Sequence, residues 1–195
     1  MTMKNLIFLF SILFGPNLFS QTIQDKDIFP DSWLGNYQGK MLIISTLHDK
    51  IDTADVEFQF SDTNVKNRWI YKMTYHSKKY GEMVKDYELI KPDSLAKNTY
   101  LIDEKDGILI QNTLMGNTLY CNFIVSGSLL CCILRKENDD LFFEIFTSKD
   151  QYTLSTQSLA TGTEESFIVD SYPPYTVQFV RFYRVHQDSQ SEKEF

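Results

Sequence analysis

The sequence predicts an all-β fold: an antiparallel up-and-down meander of about ten strands closed into a barrel, with little helix. Three observations predict it. Beyond residue 32, apolar and polar residues alternate with period two nearly everywhere. Val56, Phe58 and Phe60 alternate with Glu57 and Gln59, and Trp69, Tyr71, Met73 and Tyr75 alternate with residues such as Lys72 and Thr74. This is the pattern of strands with one buried and one wet face. The turns between these runs are short and chemically legible. Consecutive antiparallel strands in such number also leave aggregation-prone edges unless the sheet closes on itself.

The elements follow in order. Lys4, the apolar run Leu6 to Phe14, the break at Gly15-Pro16 and the small residue Ser20 before Gln21 match a secretory signal over residues 1–20. That run is too short to cross a bilayer as a helix, which takes ~20 residues. The expected location is therefore secreted or periplasmic. Residues 21–32 read as a polar leader, 33–187 as a single β-barrel domain, and 188–195 as a polar tail. Strands are predicted near 34–46, 54–61, 66–76, 83–91, 98–104, 107–115, 117–126, 128–137, 141–148 and 151–160, with a closing segment near 175–186.

Turn chemistry sets the register. Gly107 suits the left-handed position of a three-residue hairpin after Glu104, and Gly116-Asn117, Ser126-Gly127 and Asn138-Asp139 suit two-residue turns. A loop at Ser126-Gly127 places Phe123 opposite Leu130, Cys121 opposite Cys132 and Leu119 opposite Leu134. The loop at Gly116-Asn117 places Leu119 opposite Leu114, Cys121 opposite Asn112, Phe123 opposite Ile110 and Val125 opposite Ile108. The loop at Asn138-Asp139 places Leu134 opposite Phe143 and Cys132 opposite Ile145. One face across four strands is then almost wholly apolar, and a one-residue slip would turn it outward. Residues 162–174 form a connection or a rim lid, and Tyr172-Pro173-Pro174-Tyr175 is excluded from a central strand because proline lacks the donor.

Composition narrows the function classes. Nineteen basic residues stand against 26 acidic ones, a net charge of −7, which argues against a nucleic-acid partner. No Walker loop, nucleophile elbow, His-Glu-x-x-His or dinucleotide fingerprint occurs. The chain reads more as a binding protein than as an enzyme.

The run Trp33-Leu34-Gly35-Asn36-Tyr37-Gln38-Gly39 resembles the opening strand of the calycin superfamily, the lipocalins and their relatives. There a Gly-x-Trp begins the barrel, and a basic residue of the last strand packs over the aromatic ring. The resemblance implies a lipocalin-like barrel closed at one end by Trp33, Gly35 and Tyr37 together with Arg181 or Arg184, with Tyr37 in place of the Trp. Lys85-Asp86-Tyr87 is similar to a second lipocalin motif, Thr-Asp-Tyr, with Lys for Thr. The strand number points to ten-stranded, helix-poor members rather than eight-stranded ones. Some such relatives hold haem through a histidine near the barrel mouth, and His186 is the candidate by position; no cofactor is otherwise expected.

Four groups of residues carry the remaining chemistry. His48, His76 and His186 share no ligand spacing, so no metal site is expected. Cys121 and Cys132, opposed in the register, are either a candidate disulfide or two interior thiols, and Cys131 is left over. Asp86 and Glu88 share a strand face. Directed inward they would be an acid/base pair; directed outward they would leave Tyr87 and Leu89 in the core. Phe58, Trp69, Tyr71, Tyr75, Asn112 and Phe123 are either the wall of a ligand pocket or solid core.

The function expected is binding of a small apolar or amphipathic molecule inside the barrel. One alternative is an interaction module with a filled barrel. A second is a barrel enzyme using interior carboxylates. Ile124, Leu129, Ile133, Phe142 and Phe146 fall on the opposite strand face, which would expose an apolar surface for a homodimer or another protein partner.

Overall fold

The computed structural model describes residues 28–47, 51–158 and 166–186. The expected signal at 1–20 and the expected tail at 188–195 lie outside them, as does His48. Among the described residues twelve strands form: β1 (Gly35–Ser45), β2 (Asp52–Asp62), β3 (Arg68–Ser77), β4 (Gly81–Ile90), β5 (Thr99–Asp103), β6 (Leu109–Met115), β7 (Thr118–Val125), β8 (Ser128–Glu137), β9 (Asp140–Lys149), β10 (Leu154–Gln157), β11 (Ile168–Ser171) and β12 (Pro174–Arg184). Ten of them, β1 to β9 and β12, close into an antiparallel barrel in which β12 sits between β9 and β1.

The turns have the predicted chemistry. Ser126 and Gly127 have φ of 49° and 78°, the paired positive values of a type I′ turn. Gly107 (φ 100°) and Gly116 (φ 61°) also occupy positive φ, where a side chain would be strained. The pairings Cys121–Cys132, Leu119–Leu134, Leu119–Leu114, Leu134–Phe143 and Cys132–Ile145 all form.

Pro174 and Tyr175, excluded from a central strand by the sequence, in fact open β12: Pro174 takes the first position, paired with Ser148, with a bulge before Thr176, where a missing donor is tolerated. Two expectations about the barrel ladder are also corrected. The strand expected at 151–160 is not a barrel strand over its described residues, 151–158. Leu154–Gln157 pairs with Ile168–Ser171 in a separate two-stranded ribbon at the barrel mouth. The alternation was real, but a free ribbon alternates just as a barrel strand does. The other correction concerns β6 and β7. Their ladder runs only from Met115–Thr118 to Thr113–Tyr120, so the pairs Cys121–Asn112, Phe123–Ile110 and Val125–Ile108 do not form. Outer-face charges hold the β5–β6 hairpin against β4 instead. Lys105 Nζ lies 3.1 Å from Asp86 and 3.7 Å from Glu88, and Arg68 bridges Glu88 and Asp103 at 2.7 and 3.1 Å.

One end of the barrel is packed solid. Phe58, Phe60, Tyr71, Leu89, Leu141 and Phe182 are buried there; Phe58 stacks on Phe60 along β2 and meets Tyr71 edge-on and Phe182 at a tilt across strands. The stretch read as a leader contributes to this end. Phe29 is buried, edge-on to Trp33 at 4.8 Å and to Tyr100 at 4.9 Å. Ahead of β1, residues Asp31–Trp33 make one short 3₁₀ turn that sets Trp33 into the core.

Candidate functional site

Pleat parity decides which side chains enter the barrel. Partners directly opposed in a ladder share a face. From buried Phe58 on β2 the inward set runs to Met73, Tyr71 and Tyr75 on β3, then to Tyr87 and Leu89 on β4. It continues to Ile102, Ile110 and Asn112. On the other wall it includes Phe123, Leu130, Cys132, Ile145 and Gln178.

The inward residues divide by height. Near the end occupied by Trp33 and Tyr37 they are buried. Towards the β3–β4 and β7–β8 turns, Ile43, Tyr75, Tyr87, Ile110, Phe123, Leu130, Ile145 and Gln178 are only half-buried. Met83 and Val125, also inward by parity, are 51% and 46% exposed. The barrel is thus cup-like by exposure: inward side chains reach solvent on one half only, where Ile43, Tyr75, Tyr87, Ile110 and Ile145 still pack against the core. The parting of β6 from β7 opens its wall on the same half.

The base is closed by a polar clamp. Arg184 donates to the carbonyls of Leu34 (2.6 Å) and Ser32 (3.1 Å) and to the Tyr37 hydroxyl (2.7 Å). The guanidinium carbon is 5.1 Å from the Tyr37 ring centroid, and the Tyr37 hydroxyl donates to Trp33 O at 2.7 Å. Burial pushes the Tyr37 phenol up to about 12, against the opposing pull of Arg184. Arg184, not Arg181, is therefore the basic residue over the ring. Arg181 points outward and pairs with Asp140 at 2.6 Å. A Cβ on Gly35 would come within 3.0 Å of Arg184 Nη1, and one on Gly39 within 2.6 Å of Val180 Cγ2. Both glycines let β12 lie close over β1.

The six proposed wall residues all lie on the inward face, at different depths. Tyr75 and Phe123 stand in the open half. Phe58 and Tyr71 are packed in the base, Trp69 packs beside it, and Asn112 is buried with its amide donating to Ile110 O at 2.9 Å. Burial pushes Tyr75 up to about 12, with Cys132 adding to the effect. Sequence reasoning did not single out Ile43, Tyr87, Ile110, Leu130, Ile145 or Gln178 for this wall. The register signal was present for Ile110, Leu130 and Ile145, but burial depth was not.

Cys121 and Cys132 face each other beside Tyr71 and Tyr75, and their thiols are free. The Cys132 thiol donates to Cys121, which holds Cys121 below and pushes Cys132 above the ordinary thiol value. The two-residue turn makes Val125–Ser128 a hydrogen-bonded pair, and alternation makes Cys121–Cys132 another. Such pairs hold their Cα atoms ~5.5 Å apart, the wider of the two spacings. Their Cβ atoms then lie towards the wide end of the ~4.5–5.5 Å cross-strand range, beyond the ~3.5–4.5 Å that a disulfide needs. Cys131 points to the outer face.

Asp86 and Glu88 lie outside, opposite Lys72 and Ile70, in the ion-pair network already described. An interior acid/base pair is thus not built from them. His186 lies exposed just past Arg184, at the closed end of the barrel rather than at the cup. Among the described residues, no three His, Cys, Asp or Glu side chains gather as a metal site.

No protein-family model matches this chain, and no curated protein does. Among solved structures it is similar to a protein of unknown function of the DUF3598 family from Nostoc punctiforme, with a TM-score of 0.51 and 11% identity. That match covers 78% of this chain and 47% of the other, so the chain spans about half the length of that relative. Rv2717c from M. tuberculosis matches at 9% identity and a TM-score of 0.32, over 79% of this chain and 93% of that one. The first likeness bears on the fold alone. The architecture fits a calycin-like barrel at the coarse level.

Proposed function

We propose that the open half of the barrel binds a small amphipathic molecule, apolar end down. The observation that supports this most is the division of the interior. Apart from Gln178 and Lys85, the inward side chains named above the base are apolar or aromatic, yet only half-buried. A wall of Ile43, Ile110, Phe123, Leu130 and Ile145 left to water is unfavourable by ~25 cal/mol per Å² of apolar surface, and an apolar chain lying against it would recover that. The mouth favours an acidic head. Lys85 is inward by parity, opposite Met73, with its ammonium 5.9 Å from the Tyr87 ring centroid. Polar groups at the rim, including the Ser128–Tyr175 hydroxyl pair at 3.1 Å, can orient such a head.

The experiment is native mass spectrometry of the protein with decanoate and decanol, backed by displacement of an environment-sensitive dye. A 1:1 complex with decanoate is expected, binding at least ~5-fold tighter than decanol, with that preference removed by Lys85→Met. Leu130→Trp, which fills the cup, should abolish both complexes. Binding that survives Leu130→Trp, or no complex with either probe at 1 mM (about −4 kcal/mol of binding), would overturn the reading.

A further inference from the structure

We propose that Cys121 and Cys132 together bind one soft monovalent metal ion, copper(I) by its chemistry, between β7 and β8 inside the barrel. The proposal stands apart from the ligand reading. The two residues are directly opposed in the ladder and both point inward. Their thiols are free, and the Cys132 thiol reaches Cys121 closely enough to donate to it. The spacing that disfavours a disulfide suits an ion. A disulfide draws its sulfurs to ~2.05 Å and its Cβ atoms within ~3.5–4.5 Å. Two metal–sulfur bonds of ~2.3 Å hold the sulfurs up to ~4.6 Å apart. Cβ atoms near the wide end of the ~4.5–5.5 Å cross-strand range match the second requirement and not the first.

The donors choose the ion. Thiolate and thioether sulfur selects copper(I), whereas carboxylate and carbonyl oxygen suits magnesium or calcium. The surroundings are soft as well. Tyr71 and Tyr75 reach the thiols from β3, and the Tyr75 hydroxyl donates to Met73 Sδ at 3.2 Å. Among the described residues no third His, Cys, Asp or Glu joins the pair, and Cys131 points to the outer face. A structural zinc site needs four ligands and is not built here. Copper(I) is satisfied by two thiolates.

The pair also has an entry path, which a metal site requires. Cys132 is half-buried on the wall of the cup. The β6–β7 ladder ends at Thr113–Tyr120, one residue short of Cys121, so the wall parts beside the pair. Binding exchanges two thiol protons, released to water, for two metal–sulfur bonds. The ion keeps its oxidation state, so no oxidant or reductant takes part.

Anaerobic titration of the reduced protein with the copper(I)–bicinchoninate complex tests the site. The protein should take one copper(I) per chain from the dye, and zinc(II) offered at the same concentration should not bind. Cys121→Ser and Cys132→Ser should each hold copper(I) at least ~100-fold more weakly, at or beyond the 10–100-fold that loss of a supporting group costs. Cys131→Ser should bind like the native protein, which separates the interior pair from the outer thiol. A second measurement needs no variant. Copper(I) should protect Cys121 and Cys132 of the native chain from iodoacetamide, over times that label both in its absence, and leave Cys131 reactive. No transfer from bicinchoninate, uptake indifferent to both interior substitutions, or protection of Cys131 in place of the pair would each overturn the proposal.

Discussion

Arg184 Nη2 lies 2.7 Å from the Tyr37 hydroxyl, and the same guanidinium bonds the carbonyls of Ser32 and Leu34. One side chain from the last strand thus ties down the turn before the first. Arg184→Met keeps the length and removes the donors, leaving the partly buried Leu34 and Ser32 carbonyls without this partner. Hydrogen bonds to charged groups contribute about 1.5–3 kcal/mol each, so a loss of roughly 2–4 kcal/mol is expected in urea unfolding. A loss below ~0.5 kcal/mol, typical of a surface change, would mean that the clamp is not structural.

The filled base and the open cup predict opposite responses to truncation. Phe58→Ala opens a cavity among Phe60, Tyr71 and Phe182, for which large-to-small core changes give about 3–5 kcal/mol. Phe123→Ala removes a ring already in contact with water and should lose less than half as much. Chemical denaturation of the two variants side by side checks this. Equal losses would show that the interior is filled throughout.

The three cysteines should all titrate with a thiol reagent after unfolding, and the intact mass should show no missing hydrogens. In the folded protein Cys131, partly exposed on the outer face, should react first. Cys121 is buried, and Cys132 holds its proton against Cys121, so both should react slowly. A mass lower by two hydrogens that returns on reduction would contradict the wide cross-strand spacing.

High pH should destabilise the fold through its interior phenols. Tyr37 and Tyr75 ionise near 12 when folded rather than near 10, so the unfolded chain loses these protons first. Their contribution is complete below pH 10 and is lost as pH rises from 10 towards 12. Each can contribute up to ~1.4 kcal/mol per pH unit in that window. Urea midpoints measured from pH 9 to 12 should fall more steeply for the native protein than for Tyr75→Phe. Parallel curves would mean that Tyr75 titrates like a free phenol.

Much of this molecule was legible before any coordinates. Gly107, Gly116, Ser126-Gly127 and Asn138 set turns whose lengths are local properties, and from them the pairing of Cys121 with Cys132 and of Leu134 with Phe143 followed. The inward face could be read because the side-chain period in a strand is two, so one correct turn orients a whole strand. Phe29 could not be read, because it follows a polar stretch with no periodicity and is buried only when Trp33 and Tyr100 arrive from elsewhere.

By itself, then, the sequence determined the order of β1 to β9, the short turns, and the register and apolar face of β7, β8 and β9. All of these depend on neighbours in the chain. The tertiary structure alone decided that β10 and β11 leave the barrel and that β6 parts from β7. It also decided that Arg184 rather than Arg181 turns inward, and that inward side chains are buried at one end and half-exposed at the other. These depend on volumes and charges brought together from strands far apart in sequence, where Lys105 draws a hairpin towards β4 and no local pattern records how far two walls stand from each other.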